Sequence, residues 1–173
     1  MISKAKMTHQ QIEEQRDIIT MYQVALHHNV VQLEDYFETK EHIYLCLELH
    51  STQTLEGYIL AIKENMEEMA ARDLSLKIAQ ALEYLHDSGV CLKSLDAKGI
   101  LMTEAATTHP LETSVPRISR LSNAVSMGYE EVTREIYGDI RYRAPEVLSG
   151  KPYDFKADAW SFGVILFYLL TSR

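Results

Sequence analysis

Apolar and polar residues alternate in the stretch GVCLKSLDAKGILM, between Gly89 and Met102. The apolar positions are those that would hold a loop against a core: Leu92, Leu95, Ile100 and Leu101. Between them lie Ser94, Asp96 and Gly99. A serine hydroxyl cannot act as a base near pH 7, and glycine offers no side-chain ligand to a metal ion. The stretch therefore predicts a loop that packs against a core and has no base at position 94 and no metal ligand at position 99.

Histidine and cysteine spacings indicate no metal or redox site. None of the seven histidines forms an H-x-x-x-H spacing with a carboxylate. Cys46 and Cys91 each lie inside an apolar run, without a C-x-x-C spacing. We predict two buried thiols that pack in the core, a reducing compartment and no metal.

The first element that must position this loop is a helix. Thr8 and Gln11 form the T-x-x-Q pattern of a capping box, which marks a helix start. The helix carries one apolar side at near-helical spacing: Ile12, Ile19, Tyr22 and Leu26. We expect it to end around residues 27–29.

A β-hairpin between Val30 and Leu49 follows, because apolar residues lie two or four apart in its first half and alternate strictly in its second half. The predicted buried face of its second strand is Ile43, Leu45, Leu47 and Leu49. Helical spacing returns from Leu55 to Met69, and again in a second helix that stops at Gly89. That second helix has one apolar stripe, made of Leu74, Ile78, Ala81, Leu82 and Leu85. After a loop-rich centre, the apolar run from 159 to 170 predicts a buried helix, and the whole order predicts an α+β fold.

Bulk composition limits the function classes. The chain has 173 residues, 46% of them hydrophobic, which suits one domain with a real core. Its net charge of −8 argues against nonspecific binding to nucleic acid or to an anionic membrane. The N-terminus MISKAKMTHQ has no apolar run typical of a signal peptide, and the apolar run at 159–170 is shorter than the roughly 20 residues that span a bilayer. We expect a cytoplasmic protein.

Three stretches, in order, resemble the eukaryotic protein kinase domain. The stretch from Gly138 to Leu170 contains Ala144-Pro145-Glu146, the family's A-P-E motif, and Asp158, Trp160 and Gly163 match its D-x-W-S-x-G pattern. HHNVVQLEDYFETKEHIYLCLEL resembles the H-P-N-I-V stretch with the following hairpin and hinge. ALEYLHDSGVCLKSLDAKGILM resembles the helix and catalytic loop. The resemblance implies residues 1–50 as a partial N-lobe with the hinge, and 51–173 as a partial C-lobe that ends at the central buried helix.

The resemblance also implies altered catalytic positions. The family's catalytic Asp falls on Ser94, the Lys two residues later on Asp96, and the metal-binding Asn on Gly99. The Asp of D-F-G falls on Arg120, whose charge would oppose Mg²⁺. Asp96 and Arg120 form either an internal ion pair or two solvated side chains. We favour the second, because exposed pairs contribute only about 0–1 kcal/mol.

Nucleotide binding is implied only in vestigial form. The pocket corresponds to Leu47, Glu48, Leu49 and Leu101. The ATP-binding lysine would lie before Met1, and the helix glutamate that pairs with it falls on Asp17 or Ile18. We expect no cofactor, neither ATP nor Mg²⁺. Lys93 replaces an arginine that in many kinases binds an activation-loop phosphate, and it keeps the charge but not the bidentate geometry. The family's threonine in the G-T-x-x-Y-x-A-P-E pattern falls on Asp139, so we expect no phosphate switch, although Ser126 and Thr133 could accept phosphate.

The sequence thus predicts a pseudokinase, a non-enzyme truncated at both ends that acts as a scaffold or regulatory binding module. Its expected partner is a protein or the remainder of a longer chain. Two alternatives stay open: a divergent serine/threonine protein kinase, or a non-functional kinase fragment. We also expect the isolated chain to be unstable or to self-associate, since the helix at 159–170 is apolar on every face.

Overall fold

The computed structural model describes residues 1–5, 7–49, 51–61, 66–102 and 115–171. The helices are α1 (His9–Val24), α2 (Leu55–Ala61), α3 (Glu68–Asp87), α4 (Pro145–Leu148) and α5 (Lys156–Thr171), with a 3₁₀ helix at Ile140–Tyr142. The strands are β1 (Ile2–Ser3), β2 (Leu33–Glu38), β3 (His42–Leu47), β4 (Val90–Cys91), β5 (Ile100–Met102), β6 (Pro116–Ile118) and β7 (Val125–Ser126).

The hairpin predicted from alternation is present as the β2–β3 pair. With β1 it forms an antiparallel sheet of order β1-β3-β2, and the register shifts between Leu33 and Asp35. The turn closes through Thr39, whose backbone N–H donates to the His42 carbonyl at 2.8 Å. Two short antiparallel pairs, β4–β7 and β5–β6, enclose residues 92–99, the stretch from which the sequence analysis began.

The capping box forms as predicted. The Thr8 N–H donates to Gln11 Oε1 at 2.9 Å, and the Gln11 N–H donates to Thr8 Oγ1 at 3.3 Å. Reciprocal bonds of this kind satisfy N–H groups that a helix start otherwise leaves unpaired. They place α1 beside β2 and β7, where it covers one side of the loop region.

One hydrophobic core joins the sheet side to the helices. The predicted stripe of α3 is buried throughout: Leu74, Ile78, Ala81, Leu82 and Leu85. α3 packs on α5, where Ile165 and Leu169 are fully buried in the same core cluster. The other face of α5 is exposed to solvent, with Phe167 at 59% and Trp160 at 49% exposure. The expected thiol burial holds for Cys91, whereas Cys46 is half-buried.

Three residues predicted on buried faces lie at the surface. Leu26 is exposed because α1 ends at Val24 and Ala25 leaves helical geometry. Leu49 is 98% exposed because β3 ends at Leu47. Met69 is exposed because it belongs to the first turn of α3 and does not extend α2. In each case the period was right and the end of the element was misplaced.

The α+β class predicted from the sequence is confirmed. Within the described ranges, no helix has both the length and the apolar character needed to cross a bilayer. The division at residues 1–50 and 51–173 stays a prediction.

Candidate catalytic cleft

Asp158, in the first turn of α5, anchors the catalytic-loop stretch. The backbone N–H of Leu92 donates to its Oδ2 at 2.7 Å, and that of Lys93 donates to its Oδ1 at 2.9 Å. His86 Nε2 lies 3.1 Å from the same Oδ2, and the Asp158 side chain is 1% exposed. Lys93 takes a left-handed backbone with φ of 60°, which costs energy for a residue with a side chain. The buried carboxylate therefore fixes a strained loop entry.

Ser94, at the predicted catalytic-Asp position, is held from two sides. Its Oγ accepts a hydrogen bond from Asn123 Nδ2 at 3.1 Å. Gly138 lies directly against it, since a Cβ added there would be 2.8 Å from Ser94 Cβ. Gly138 also has φ of +76°, so both its space and its backbone require glycine. The segment after β7 thus closes over Ser94.

Asp96 and Arg120 form an ion pair, which was the less favoured of the two arrangements predicted from the sequence. Asp96 Oδ2 lies 3.6 Å from Arg120 Nη1, and Asp96 Oδ1 accepts the Gly99 N–H at 2.7 Å. The Asp96 side chain is 7% exposed and that of Arg120 is 52% exposed, so only Arg120 is solvated as expected. A Cβ on Gly99 would lie 3.3 Å from Arg120 Cδ, and the missing side chain therefore makes room for the arginine.

The Asp96–Arg120 pair is not by itself a metal site. Among the residues that the structure describes, no group of three or more His, Cys, Asp or Glu side chains could hold one. The Asp96 carboxylate already has an N–H and a guanidinium as partners, and Arg120 would repel a cation.

A second charged group borders the loop, formed by Glu56, Lys98, Asp139 and Arg141. Lys98 Nζ and Arg141 Nη2 each lie 3.7 Å from a Glu56 carboxylate oxygen. Asp139 caps the 3₁₀ helix by accepting the Arg141 N–H at 3.0 Å. Hydrogen bonds from the Arg141 side chain, the largest cause, lower the pKa of Asp139 to about 2. The carboxylate is thus charged at any physiological pH.

Lys93 ties the catalytic loop to the segment that follows β7. Its Nζ is hydrogen-bonded to the Glu135 carboxylate and lies 4.7 Å from the Tyr137 ring centroid, with the side chain 4% exposed. Tyr153 donates its hydroxyl to the Glu135 carbonyl, and backbone bonds of 2.9 Å join Thr133 and Tyr153 in both directions. In this structure Lys93 is therefore paired with the carboxylate of Glu135. The absence of a phosphate switch stays a prediction.

The predicted nucleotide pocket is brought together only in part. Leu47 and Leu101 are half-buried, and Leu101 lies in β5 opposite Arg117 of β6. The Glu48 carboxylate instead accepts hydrogen bonds from the Gln32 N–H, at 2.9 Å, and from Arg117. Leu49, at 98% exposure, is not brought to this pocket.

The two candidates for the helix glutamate differ in environment. Both line a cavity of about 580 Å³ between α1 and the segment around β7, but Ile18 is buried in the core whereas Asp17 is exposed. Neither position is settled by this geometry, and the alternative stays open.

The motif residues near the C-terminal end lie at the start of α4 and in α5. Ala144 is the N-cap of α4 and Pro145 is its first residue, a position where proline's missing N–H costs nothing. Glu146 lies in the same first turn, and its carbonyl accepts the Lys151 N–H at 3.0 Å. Trp160 is half exposed, and a Cβ on Gly163 would meet no atom within 4 Å in the described chain. Among these residues Asp158 has the most direct positioning role.

Sequence reasoning missed Asn123, Glu135 and Arg117. Each makes its contact over a long separation, 29 residues for Asn123–Ser94, 42 for Glu135–Lys93 and 69 for Arg117–Glu48. No local period or spacing connects such partners. The sequence indicated only one long-range contact: Asp96 and Arg120 have charges opposite to those of the family's residues at these two positions, which suggested an ion pair.

Several protein kinases are similar to this chain. Calcium/calmodulin-dependent protein kinase type 1 of Macrobrachium nipponense is 33% identical over 83% of the chain and 40% of its own length. The CBL-interacting serine/threonine-protein kinase 7 of Arabidopsis thaliana is 34% identical over 90% of the chain and 35% of its own length. Calcium-dependent protein kinase 2 of Oryza sativa subsp. japonica is 33% identical over 98% of the chain and 32% of its own length. The chain therefore spans less than half the length of these curated relatives.

These similarities contradict two of our predictions. We predicted a non-enzyme from Ser94, Asp96, Gly99 and Arg120, but the relatives at 33–34% identity are protein kinases. We also predicted that neither ATP nor Mg²⁺ is used, whereas phosphoryl transfer by protein kinases employs both. Both inferences were wrong because they judged an enzyme class from single positions. The correspondence of those residues to the family's catalytic positions stays a prediction.

The resemblance seen in three stretches extends to the whole chain. The family described as "Protein kinase domain" matches residues 1–173, so the match includes the hairpin, the loop anchored by Asp158 and the final helix. The partial kinase-like α+β fold is accordingly confirmed, and the chain belongs to the protein kinase superfamily.

Proposed function

We propose that this chain is part of a divergent serine/threonine protein kinase, which transfers a phosphoryl group from ATP to a hydroxyl group of a protein. The observation that carries the proposal is the anchored loop at residues 92–99, held by Asp158 beneath the segment that contains Gly138. Positioning of this kind is the main protein contribution to phosphoryl transfer. The kinase relatives support the same class.

Asp96 is the one carboxylate in the sequence from 92 to 99. In the proposed reaction it takes the proton of the acceptor hydroxyl, the role that the serine at position 94 cannot perform near pH 7. The Arg120 guanidinium, 3.6 Å from Asp96, offsets the negative charge of the phosphoryl group. ATP would supply that group: the bond from its γ-phosphorus to the bridging oxygen would break as the acceptor oxygen bonds to the phosphorus, and ADP would leave. Leu47 and Leu101 offer half-buried apolar surface for the base of ATP.

The test is phosphate incorporation from γ-labelled ATP into a library of peptides that contain serine or threonine. We compare the protein with Asp96→Asn, which keeps the shape and removes the base, and with Asp87→Asn, the same change at an exposed site at the end of α3. We expect Asp96→Asn to lower the rate by at least about 100-fold, the usual contribution of a general base. Asp87→Asn should leave the rate unchanged.

Transfer no greater than that of heat-denatured protein would refute the proposal. Equal transfer by the protein and Asp96→Asn would refute the role of Asp96. In the first case the scaffold or binding-module hypothesis, with a protein partner and no nucleic-acid or membrane partner, would become the better account. The cytoplasmic location stays a prediction on either outcome.

A further inference from the structure

Three cations surround the catalytic loop, each on a different part of the chain. Lys98 lies in the loop itself, Arg120 follows β6, and Arg141 lies in the 3₁₀ helix. We call these three side chains the cationic rim. They share one region, because Lys98 and Arg141 both reach Glu56, and Arg120 lies over Gly99, the residue after Lys98.

The cationic rim faces solvent, whereas its acidic partners lie beneath it. The side chains of Lys98, Arg120 and Arg141 are 48%, 52% and 60% exposed. Their partners Glu56, Asp96 and Asp139 are 19%, 7% and 26% exposed. The formal charges balance, three against three. Coulomb energy falls with distance, so a chain that approaches from solvent interacts first with the nearer positive groups.

Two half-buried carboxylates, Asp139 and Glu56, also fix the geometry of the rim. Asp139 accepts from Arg141 Nε at 3.1 Å and from Nη2 at 2.6 Å, which orients the guanidinium. Glu56 lies 3.7 Å from both Lys98 Nζ and Arg141 Nη2, so those cations are close enough to contact one bound segment. Side chains held in place beforehand lose less conformational freedom when a ligand binds.

The overall charge acts in the opposite direction. The chain carries a net charge of −8, which by itself would attract basic ligands. A preference for acidic ligands would therefore have to come from the cationic rim itself, and substitutions in the rim can test this.

We propose that the cationic rim selects protein segments with Asp or Glu beside the acceptor serine or threonine. The proposal rests on the proposed function for its acceptor hydroxyl, but the contact itself is a binding event that requires no phosphoryl transfer. Lys98 and Arg141 are the specificity-determining residues. Each exposed pair that they form with the segment should change affinity by about two- to five-fold.

The experiment measures fluorescence anisotropy with two labelled peptides, one with serine flanked by glutamates and one with serine flanked by lysines. The proteins are the unmodified chain, the double variant Lys98→Gln/Arg141→Gln, and the control Lys40→Gln. Lys40 is an exposed cation in the β2–β3 turn, away from the rim. Circular dichroism checks that all three fold alike.

We expect the glutamate peptide to bind about four- to twenty-five-fold more tightly than the lysine peptide, as two pairs would give. The double variant should lose this preference and Lys40→Gln should keep it, and added salt should weaken it. Equal or tighter binding of the lysine peptide, an unchanged preference in the double variant, or no binding of either peptide would overturn the proposal. A glutamate preference without phosphate transfer would uphold the rim and refute the proposed enzyme, so the two failures are distinguishable.

Discussion

Replacing Asp158 with alanine should destabilise the protein by a large part of its total stability. The change removes the acceptor of the Leu92 and Lys93 N–H groups and the partner of His86. Leu92 is 1% exposed and Asp158 is 1% exposed, so water does not readily replace the lost acceptor. Each buried donor left unpaired costs about 1–3 kcal/mol, which gives about 2–6 kcal/mol for the two. Domains of this kind have a free energy of unfolding of about 5–15 kcal/mol.

Urea denaturation followed by circular dichroism measures that loss, and amide hydrogen exchange locates it. Glu83→Ala, an exposed carboxylate change on α3, is the control and should stay within about 0.5 kcal/mol of the unmodified protein. In Asp158→Ala the amides of Leu92 and Lys93 should lose protection before the rest of the core. A loss below about 1 kcal/mol, with both amides still protected, would show that Asp158 does not anchor the loop.

Two further predictions concern the segment that closes over the loop. Gly138→Ala should lower the free energy of unfolding by about 2–5 kcal/mol, because the left-handed backbone and the contact with Ser94 both oppose a Cβ. Gly150→Ala, with φ of +65° and no atom within 4 Å, should cost only the backbone part of about 1–2 kcal/mol; equal losses in urea melts would contradict the packing argument. Arg141 lowers the pKa of Asp139 to about 2 in the folded protein, so between about pH 4 and 2 the unfolded chain binds more protons than the folded chain. The stability that this pair contributes is therefore present above that window and is lost as the pH falls through it. When the free energy of unfolding is measured against pH, it should fall less steeply over that window in Asp139→Asn than in the unmodified protein. An equal slope in the two proteins would contradict the contribution of the pair.

Local features of the fold were predictable from the sequence because their causes are local. The capping box at Thr8 and Gln11 depends on residues three apart, and the buried stripe of α3 repeats with the turn of a helix. The hairpin follows from alternation, the period of a strand. Exposure at Leu26 and Leu49 was mispredicted because a period does not say at which residue an element ends.

The candidate site divides in the same way. The sequence by itself determined which residue types border the loop, including a carboxylate at position 96 and a guanidinium at position 120, and their spacing indicated the family. Only the tertiary structure decided that these two charges pair, that Glu135 pairs with Lys93, and that Asp158 accepts hydrogen bonds from the start of the loop. The physical reason is that an ion pair or a buried hydrogen bond depends on atoms brought within about 4 Å by the packing of distant segments, a relation that no local pattern encodes.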